Sequence, residues 1–320
     1  MEFITIIFGF IMLIVGANLL VEGSVKIAKK LKISTMIISM TIISIGTSMP
    51  EFAIACVSSF KGNQITLSNN IGSNITTIAI SVGITAIIYS IYIKKKVEKE
   101  VFAMIIVQLV LLFLLVIGGG LNRIDGIIFL LIFIGYMIHL IKNTKKIVSV
   151  ADENDLINTE EKYIDEAESI IKNSVITMIL FIITGLVFVV LGGNFVVDSA
   201  TKIANYFELS EAFIGVTVVA LGTTLPELST ALVAAKKKEY DIIIGNVVGS
   251  GVSNIMFIVG TAAIIHPIHY TNTLLFQIAF MLLFDLLFLK LITQKKISRS
   301  DGIALILTYA TFAISSLLLQ

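Results

Sequence analysis

Apolar residues run for about twenty positions at a time along this chain, separated by short polar stretches, the pattern of a protein that crosses a bilayer repeatedly. The pattern predicts ten spans, at about 3–25, 33–60, 64–92, 100–118, 124–141, 174–200, 210–235, 241–266, 272–290 and 301–319. The second, third, seventh and eighth are rich in Gly, Ser, Thr and Asn, whereas the fourth and ninth are almost pure Leu, Ile, Val and Phe. Small and hydroxyl residues let helices approach closely, so the first group is read as a protein-facing core and the others as lipid-facing. The fold class expected is an all-α polytopic membrane protein.

The two halves repeat one another. Gly16, Asn18, Val21, Lys26, Ser34, Thr41, Gly46, Thr47, Pro50 and Glu51 recur as the same residue 176 positions later. After one inserted residue, Asn69, Gly72, Ser73, Val82, Gly83 and Ala86 recur at 177, and Asp125-Gly126 and Asp301-Gly302 are again 176 apart. The repeat therefore holds five spans. Five is odd, so the second half enters the membrane from the opposite face, an inverted-topology repeat. The expected organisation is a first five-helix repeat over 1–141, a cytoplasmic loop over 142–172 and a second repeat over 173–320.

Charge placement tests this independently. With the N-terminus outside, 20 of the 23 Lys and Arg fall on the cytoplasmic side, and only Lys61, Arg123 and Lys202 fall outside, as the positive-inside tendency requires. The 142–172 segment is basic at first and acidic from Asp152 to Glu168, and is read as a solvated linker. The expected location is the cell (inner) membrane, multi-pass.

Composition then narrows the function. Hydrophobic residues make up 57% and charged residues 14%, far from the roughly 25% charged of soluble domains. The single Cys56 excludes an internal disulfide, and three His with one Cys argue against a tetrahedral zinc site or a haem. Glu2 stands where a signal peptide would carry basic residues, so the first apolar run is retained as a span. No cofactor and no nucleic-acid partner is expected. The partners are the bilayer and transported ions; a monomer is plausible.

The candidate chemistry sits in two copies of one motif, Gly46-Thr47-Ser48-Met49-Pro50-Glu51 and Gly222-Thr223-Thr224-Leu225-Pro226-Glu227. Each places a carboxylate in the middle of an apolar span, where it costs several kcal/mol unless it is paired or binds something. Each also supplies two hydroxyls, and its Gly and Pro loosen the helix and are expected to free carbonyls near Ser44 and Ile45, and near Ala220 and Leu221. Two of the three prolines in the chain are here. Hard cations take oxygen ligands of this kind. A second motif pair completes the set: Asn69, Ser73 and Thr77 lie at i, i+4 and i+8 on one helix face, and Asn246, Ser250 and Asn254 repeat the stripe. An oxygen-lined cavity results.

These paired motifs resemble the α-repeats of the cation/calcium antiporter superfamily, specifically its sodium/calcium exchanger branch, and the similarity covers nearly the whole chain. The resemblance implies ten helices with the ions held by spans two, three, seven and eight. It implies carboxylate ligands at Glu51 and Glu227, hydroxyl ligands at Thr47, Ser48, Thr223, Thr224, Ser73 and Ser250, and carbonyl ligands at Ser44 and Ala220. Helices one and six would slide against this core. The family often carries Asn or Asp four residues after each stripe serine; here Thr77 and Asn254 stand there, which leaves two central carboxylates. Two negative charges neutralise one Ca²⁺, whereas three Na⁺ would leave +1.

The reading is therefore an antiporter exchanging Na⁺ for Ca²⁺ by alternating access. A H⁺/Ca²⁺ exchanger, with the same glutamates protonating, is the rival in mechanism, and a cation channel the rival in class. A pseudo-symmetric single chain with a closed midplane site favours a carrier over a pore. No span pairs His with Ser, Cys or Asp at a spacing that an enzyme would use, so none is expected. Asp285, alone in an apolar span, is assigned a structural role; Asp125 and Asp301 are read as N-caps, and Gln108 is given no role.

Overall fold

The computed structural model describes residues 2–31, 33–60, 65–93, 97–151, 175–206, 220–269 and 272–318. Helix α1 (Glu2–Leu31) is followed by a broken second span, α2 (Thr35–Thr47) and α3 (Met49–Phe60), bent by 47°. Then come α4 (Thr66–Ile88), α5 (Glu98–Gly118) and α6 (Arg123–Ala151). The second half has α7 (Val175–Tyr206), a span broken into α8 (Ala220–Thr223) and α9 (Leu225–Lys236), then α10 (Tyr240–Ile265), α11 (Asn272–Thr293) and α12 (Arg299–Leu318). Among the described residues seven helices are long and apolar enough to cross a bilayer, and the α2–α3 pair is an eighth candidate. The 20-residue α12 and the α8–α9 pair, described only from Ala220, lie at the positions of the tenth and seventh expected spans.

Two-residue strands interrupt the all-helical pattern and expose the symmetry. Strand β1 (Ile91–Tyr92) pairs antiparallel with β4 (Lys296–Ile297), and β2 (Gly120–Leu121) pairs with β3 (Ile268–His269). The repeat relates β1 to β3 and β2 to β4, so each pair is the image of the other. The last residues assigned to the third span are thus strand, because their backbone groups pair with a neighbouring connection rather than continue the helix. Gly119, at φ 68°, supplies the left-handed turn that ends α5, a conformation costly for any residue with a Cβ.

Glycine contacts obey the same two-fold relation. A methyl on Gly9 would lie 2.8 Å from the Gly192 carbonyl oxygen, and one on Gly16 would lie 2.8 Å from that of Gly185. Rising numbers on α1 meet falling numbers on α7, so these helices cross antiparallel in near backbone contact, as small residues permit in a membrane. Gly83 on α4 meets Gly302 on α12, and Gly126 on α6 meets Gly260 on α10. Under the repeat these are again images of one another.

The third and eighth spans, two of the four polar ones, are the most buried of the qualifying single helices. In α10 and α4, 94% and 78% of the apolar stretch is buried, against 22–39% in the other qualifying single helices. Helices α1, α5, α6 and α7 present Phe, Ile, Leu and Val outward, among them Phe3, Phe113, Leu131 and Leu180, as lipid-facing surfaces do.

Two details depart from the sequence reading, and two stretches cannot be compared with it. Helix α6 continues past 141 to Ala151, since nothing from Tyr136 onward breaks a helix once it leaves the bilayer. The acidic stretch from Asp152 to Glu168 lies outside the described residues, as does 210–219 of the seventh span. Asp125 and Asp301 are not the caps themselves. Asn122 Oδ1 accepts from Ile124 N at 2.7 Å, while Asp125 Oδ2 accepts from Asn122 N at 2.9 Å, a capping box with Asp at its third position. Ser298 and Asp301 build the equivalent, with Asp301 Oδ2 accepting from Ser298 N at 2.7 Å.

Candidate ion-binding site

Both GTxxPE motifs break their helices at the second hydroxyl residue. Ser48, at φ −85° and ψ 10°, separates α2 from α3, and Thr224, at φ −91° and ψ 0°, separates α8 from α9. This bridge region of backbone space is sparsely used and recurs at functional sites. Each break puts a glutamate in the first turn of the following helix, where the dipole favours negative charge. Pro50 and Pro226 sit in the same turn, where a missing N–H costs nothing.

Glu51 is fully buried and Glu227 is 1% exposed. Ser73 Oγ donates to Glu51 Oε1 at 3.1 Å, but Glu51 Oε2 and Glu227 Oε2 meet no partner among the described residues. No Lys or Arg pairs with either carboxylate there. The two sense each other's charge, and the Thr47 hydroxyl faces Glu227. A pair of facing buried carboxylates without a counter-charge is strongly unfavourable unless a cation or proton joins them.

The surrounding polar groups converge from both halves. Thr47 Oγ1 donates to Asn246 Oδ1 at 3.3 Å, linking α2 to α10. Helix α10 can come this close because Gly245 and Gly249 lie against Met36, Met40 and Ser44. Ser48 Oγ, Ser250 Oγ, Thr77 Oγ1 and Asn254 Oδ1 are buried and without partners among the described residues, and so is the Asn69 amide nitrogen. Thr223 is partly buried and Thr224 is 1% exposed. So many unpartnered buried oxygens in one region are rare in a folded protein and fit a site that ligates a cation.

One carbonyl expectation is corrected. The Ser44 oxygen is not freed by the break: it accepts from Ser48 N at 3.1 Å and from Thr47 Oγ1 at 3.3 Å. Pro50 has no N–H to give the Gly46 carbonyl four residues back, and the Ser48 backbone N–H turns toward that oxygen as well as toward Ser44. Ala220 opens the described part of its helix.

The sequence reading missed two features. Thr77 and Asn254 each begin a π-helical turn, Thr77–Val82 and Asn254–Val259, at repeat-related positions. Such turns have no compositional mark and often accompany functional sites. Asn74 was outside the predicted stripe, yet Asn254 Nδ2 donates to Asn74 Oδ1 at 2.8 Å and Asn74 Nδ2 donates to the Gly251 carbonyl at 3.3 Å. Its neighbours in the stripe, at i and i+4, carried the periodic signal and Asn74 did not.

Two inverted repeats crossing at a midplane of buried oxygen donors define a membrane ion carrier. Comparison with known proteins agrees. The family model for sodium/calcium exchanger proteins matches residues 1–142 and 177–318, so the chain belongs to the sodium/calcium exchanger family, which comprises ion transporters and not enzymes. It is 32% identical over 311 residues to the membrane protein MJ0091 of Methanocaldococcus jannaschii, covering 97% of this chain and 95% of that one. It is 26% identical to the sodium/calcium exchanger MaX1 of Methanosarcina acetivorans, over 98% of this chain and 97% of the relative. Among solved structures, the sodium-calcium exchanger NCX_Mj superposes with a TM-score of 0.80 at 30% identity, covering 99% of this chain and 98% of that one.

Proposed function

We propose that this protein exchanges Na⁺ for Ca²⁺ across the cell (inner) membrane by alternating access, with the N-terminus outside and the 142–172 segment cytoplasmic. The observation that carries the reading is the facing pair Glu51 and Glu227, each buried with an unpartnered oxygen at a helix break. Thr47, Ser48, Thr223, Thr224, Ser73 and Ser250 supply hydroxyl oxygens, and Thr77, Asn254, Asn69 and Asn246 line the same cage. One chain provides both repeats, 1–141 and 173–320, so a monomer suffices.

An asymmetry between the halves supports alternating access. Among the described residues, helix α1 packs along α9, whereas its image α7 makes no comparable contact with α3. At the Lys237 end, Glu22 Oε2 of α1 lies 4.0 Å from Lys237 Nζ, just past the end of α9. The symmetric sequence thus adopts an asymmetric packing, closed on the face that carries Lys236 to Lys238. Exchanging these packings between the halves would open the other face. Two carboxylates neutralise Ca²⁺ or two Na⁺, so either load lets the core change sides without exposing net charge to lipid.

The test is Ca²⁺ uptake into proteoliposomes loaded with Na⁺, compared with liposomes holding only a pH gradient. Uptake driven by outward Na⁺, and lost in Glu51→Gln and in Glu227→Gln, is the expected result. Uptake driven only by the pH gradient would assign the same glutamates to proton coupling. Flux that neither saturates nor needs a counter-ion would indicate a channel and overturn the antiporter.

A further inference from the structure

Behind the ion cage, α5 and α11 bury a second polar pair. Asp285 and Gln108 are both fully inaccessible. Among the described residues, neither carboxylate oxygen of Asp285 and neither amide atom of Gln108 closes a hydrogen bond, although the amide faces the carboxylate. The helices on which they sit were predicted to be plain lipid-facing spans, and a carboxylate there needs an occupant.

The pair is connected to the cage. Ser73 donates to Glu51, Asn254 Nδ2 lies 3.5 Å from Ser73 Oγ and 2.8 Å from Asn74 Oδ1, and Asn74 Nδ2 reaches the Gly251 carbonyl at 3.3 Å and Met281 sulfur at 3.7 Å. Met281 is one helical turn from Asp285 on the same face, and a methyl on Gly251 would lie 3.9 Å from Gln108 Nε2. The polar chain from Glu51 thus runs as far as the Gly251 carbonyl and the Met281 sulfur, beside Gln108 and one helical turn from Asp285.

The chemistry selects the occupant. The side chains between this pair and the cage include the thioethers of Met104 and Met281, which are poor ligands for a hard cation. One carboxylate and one amide oxygen are too few for Na⁺ or Ca²⁺. A proton needs only one acceptor. The remaining ionisable groups packed around α11 are distant along their elements: Glu98, Lys99 and Glu100 at the start of α5, Lys296 on β4, Arg299 and Asp301 at the start of α12, and Lys290 near the end of α11 itself. Helix α4 carries none, and Tyr309 of α12 packs its ring on Phe312. No basic residue pairs with Asp285 among the described residues.

We propose that Asp285, with Gln108 as its hydrogen-bond partner, is a proton site outside the ion cage that acts as a switchable counter-charge. It holds a proton, as a neutral acid donating to Gln108 Oε1, while the two cage glutamates are balanced by Ca²⁺. It releases that proton when a third Na⁺ would leave the cage at +1. The proposal rests on the exchanger reading above and adds a third acid to it.

Infrared difference spectroscopy on the purified full-length protein reads the proton directly, through the carbonyl stretch of a protonated carboxylic acid. A pH dye in weakly buffered solution reads proton release as Na⁺ replaces Ca²⁺, and calorimetry reads Ca²⁺ binding. The acid band is expected in the Ca²⁺ form, lost in saturating Na⁺ and absent from Asp285→Asn, which mimics the protonated acid in shape. Wild type is expected to release a proton on exchange, and Asp285→Asn none, with Ca²⁺ binding retained. Gln108→Leu removes only the partner and is expected to move the band toward that of a free acid. A band that is absent at neutral pH, or identical in the Ca²⁺ and Na⁺ forms, would overturn the proposal, as would proton release that persists in Asp285→Asn. A protein that binds neither ion would remove the exchanger reading and the coupling together, while the band alone would still report whether Asp285 carries a proton.

Discussion

Thr47 Oγ1 donates to Asn246 Oδ1 at 3.3 Å, joining residues 199 positions apart and tying the first GTxxPE motif to the second Asn–Ser stripe. Thr223 is the repeat image of Thr47 and Asn69 that of Asn246, so the bond joins corresponding positions of opposite halves.

Thr47→Val tests this link. Valine keeps the branched shape and removes the hydroxyl that faces Glu227 and Asn246. The lost ligand and hydrogen bond are worth about 1–1.5 kcal/mol, or about a tenfold weaker Ca²⁺ affinity. Isothermal titration calorimetry measures it. An unchanged dissociation constant would place Thr47 outside the cage.

Gly16→Val tests the α1–α7 crossing. A Cβ there would meet Phe188 Cβ at 2.7 Å and Gly185 O at 2.8 Å, contacts that backbone cannot relieve. Overpacking of this kind costs about 1–3 kcal/mol, read as a lower thermal midpoint of the purified protein. Gly72→Ala, where a Cβ would meet nothing within 4 Å, is expected to leave that midpoint unchanged.

How much of this was legible beforehand follows from which signals are periodic. The inverted repeat was, because Gly46, Pro50 and Glu51 recur with Gly222, Pro226 and Glu227 at one offset. Glu51, Ser73 and Asn246 were found because their burial in an apolar span is visible as composition. The π-turns at Thr77 and Asn254 were not, since a one-residue change in hydrogen-bond partner leaves no residue signature. The proximity of Asp285 and Gln108 was not legible, because repeat symmetry relates them to Leu109 and Phe284 and only three-dimensional packing brings the two together. The Ser44 carbonyl keeps its helical partner because the helix continues to Ser48 before it bends.

Asp125→Ala and Asp301→Ala probe the capping boxes. Each removes the carboxylate that accepts from the backbone N–H of Asn122 or Ser298. Each loss is expected to cost about 0.5–2 kcal/mol of stability with Na⁺-driven transport retained. Denaturation midpoints of the two variants, compared with wild type, check this. A loss of transport with unchanged stability would give these aspartates a role the caps do not explain.

Two ion pairs on α1 separate rigid coupling from gating. Glu2 Oε2 lies 3.7 Å from Lys202 Nζ and so joins α1 to α7, the two helices expected to slide as one unit. Glu22 Oε2 lies 4.0 Å from Lys237 Nζ, which also donates to the Asn18 carbonyl at 3.4 Å, so this pair crosses from the sliding helices to the core. A contact present in both transport states cannot shift their balance; a contact made in only one can. Glu2→Gln is therefore expected to leave transport kinetics unchanged. Lys237→Met breaks the crossing pair, which at partly exposed positions is worth about 0.2–1 kcal/mol, so the balance between states should move by at most about fivefold. Rates of Ca²⁺ uptake measured in both directions across the proteoliposome membrane read this as a change in their ratio, weaker at high salt. Equal effects of the two substitutions would mean that α1 does not slide against α9.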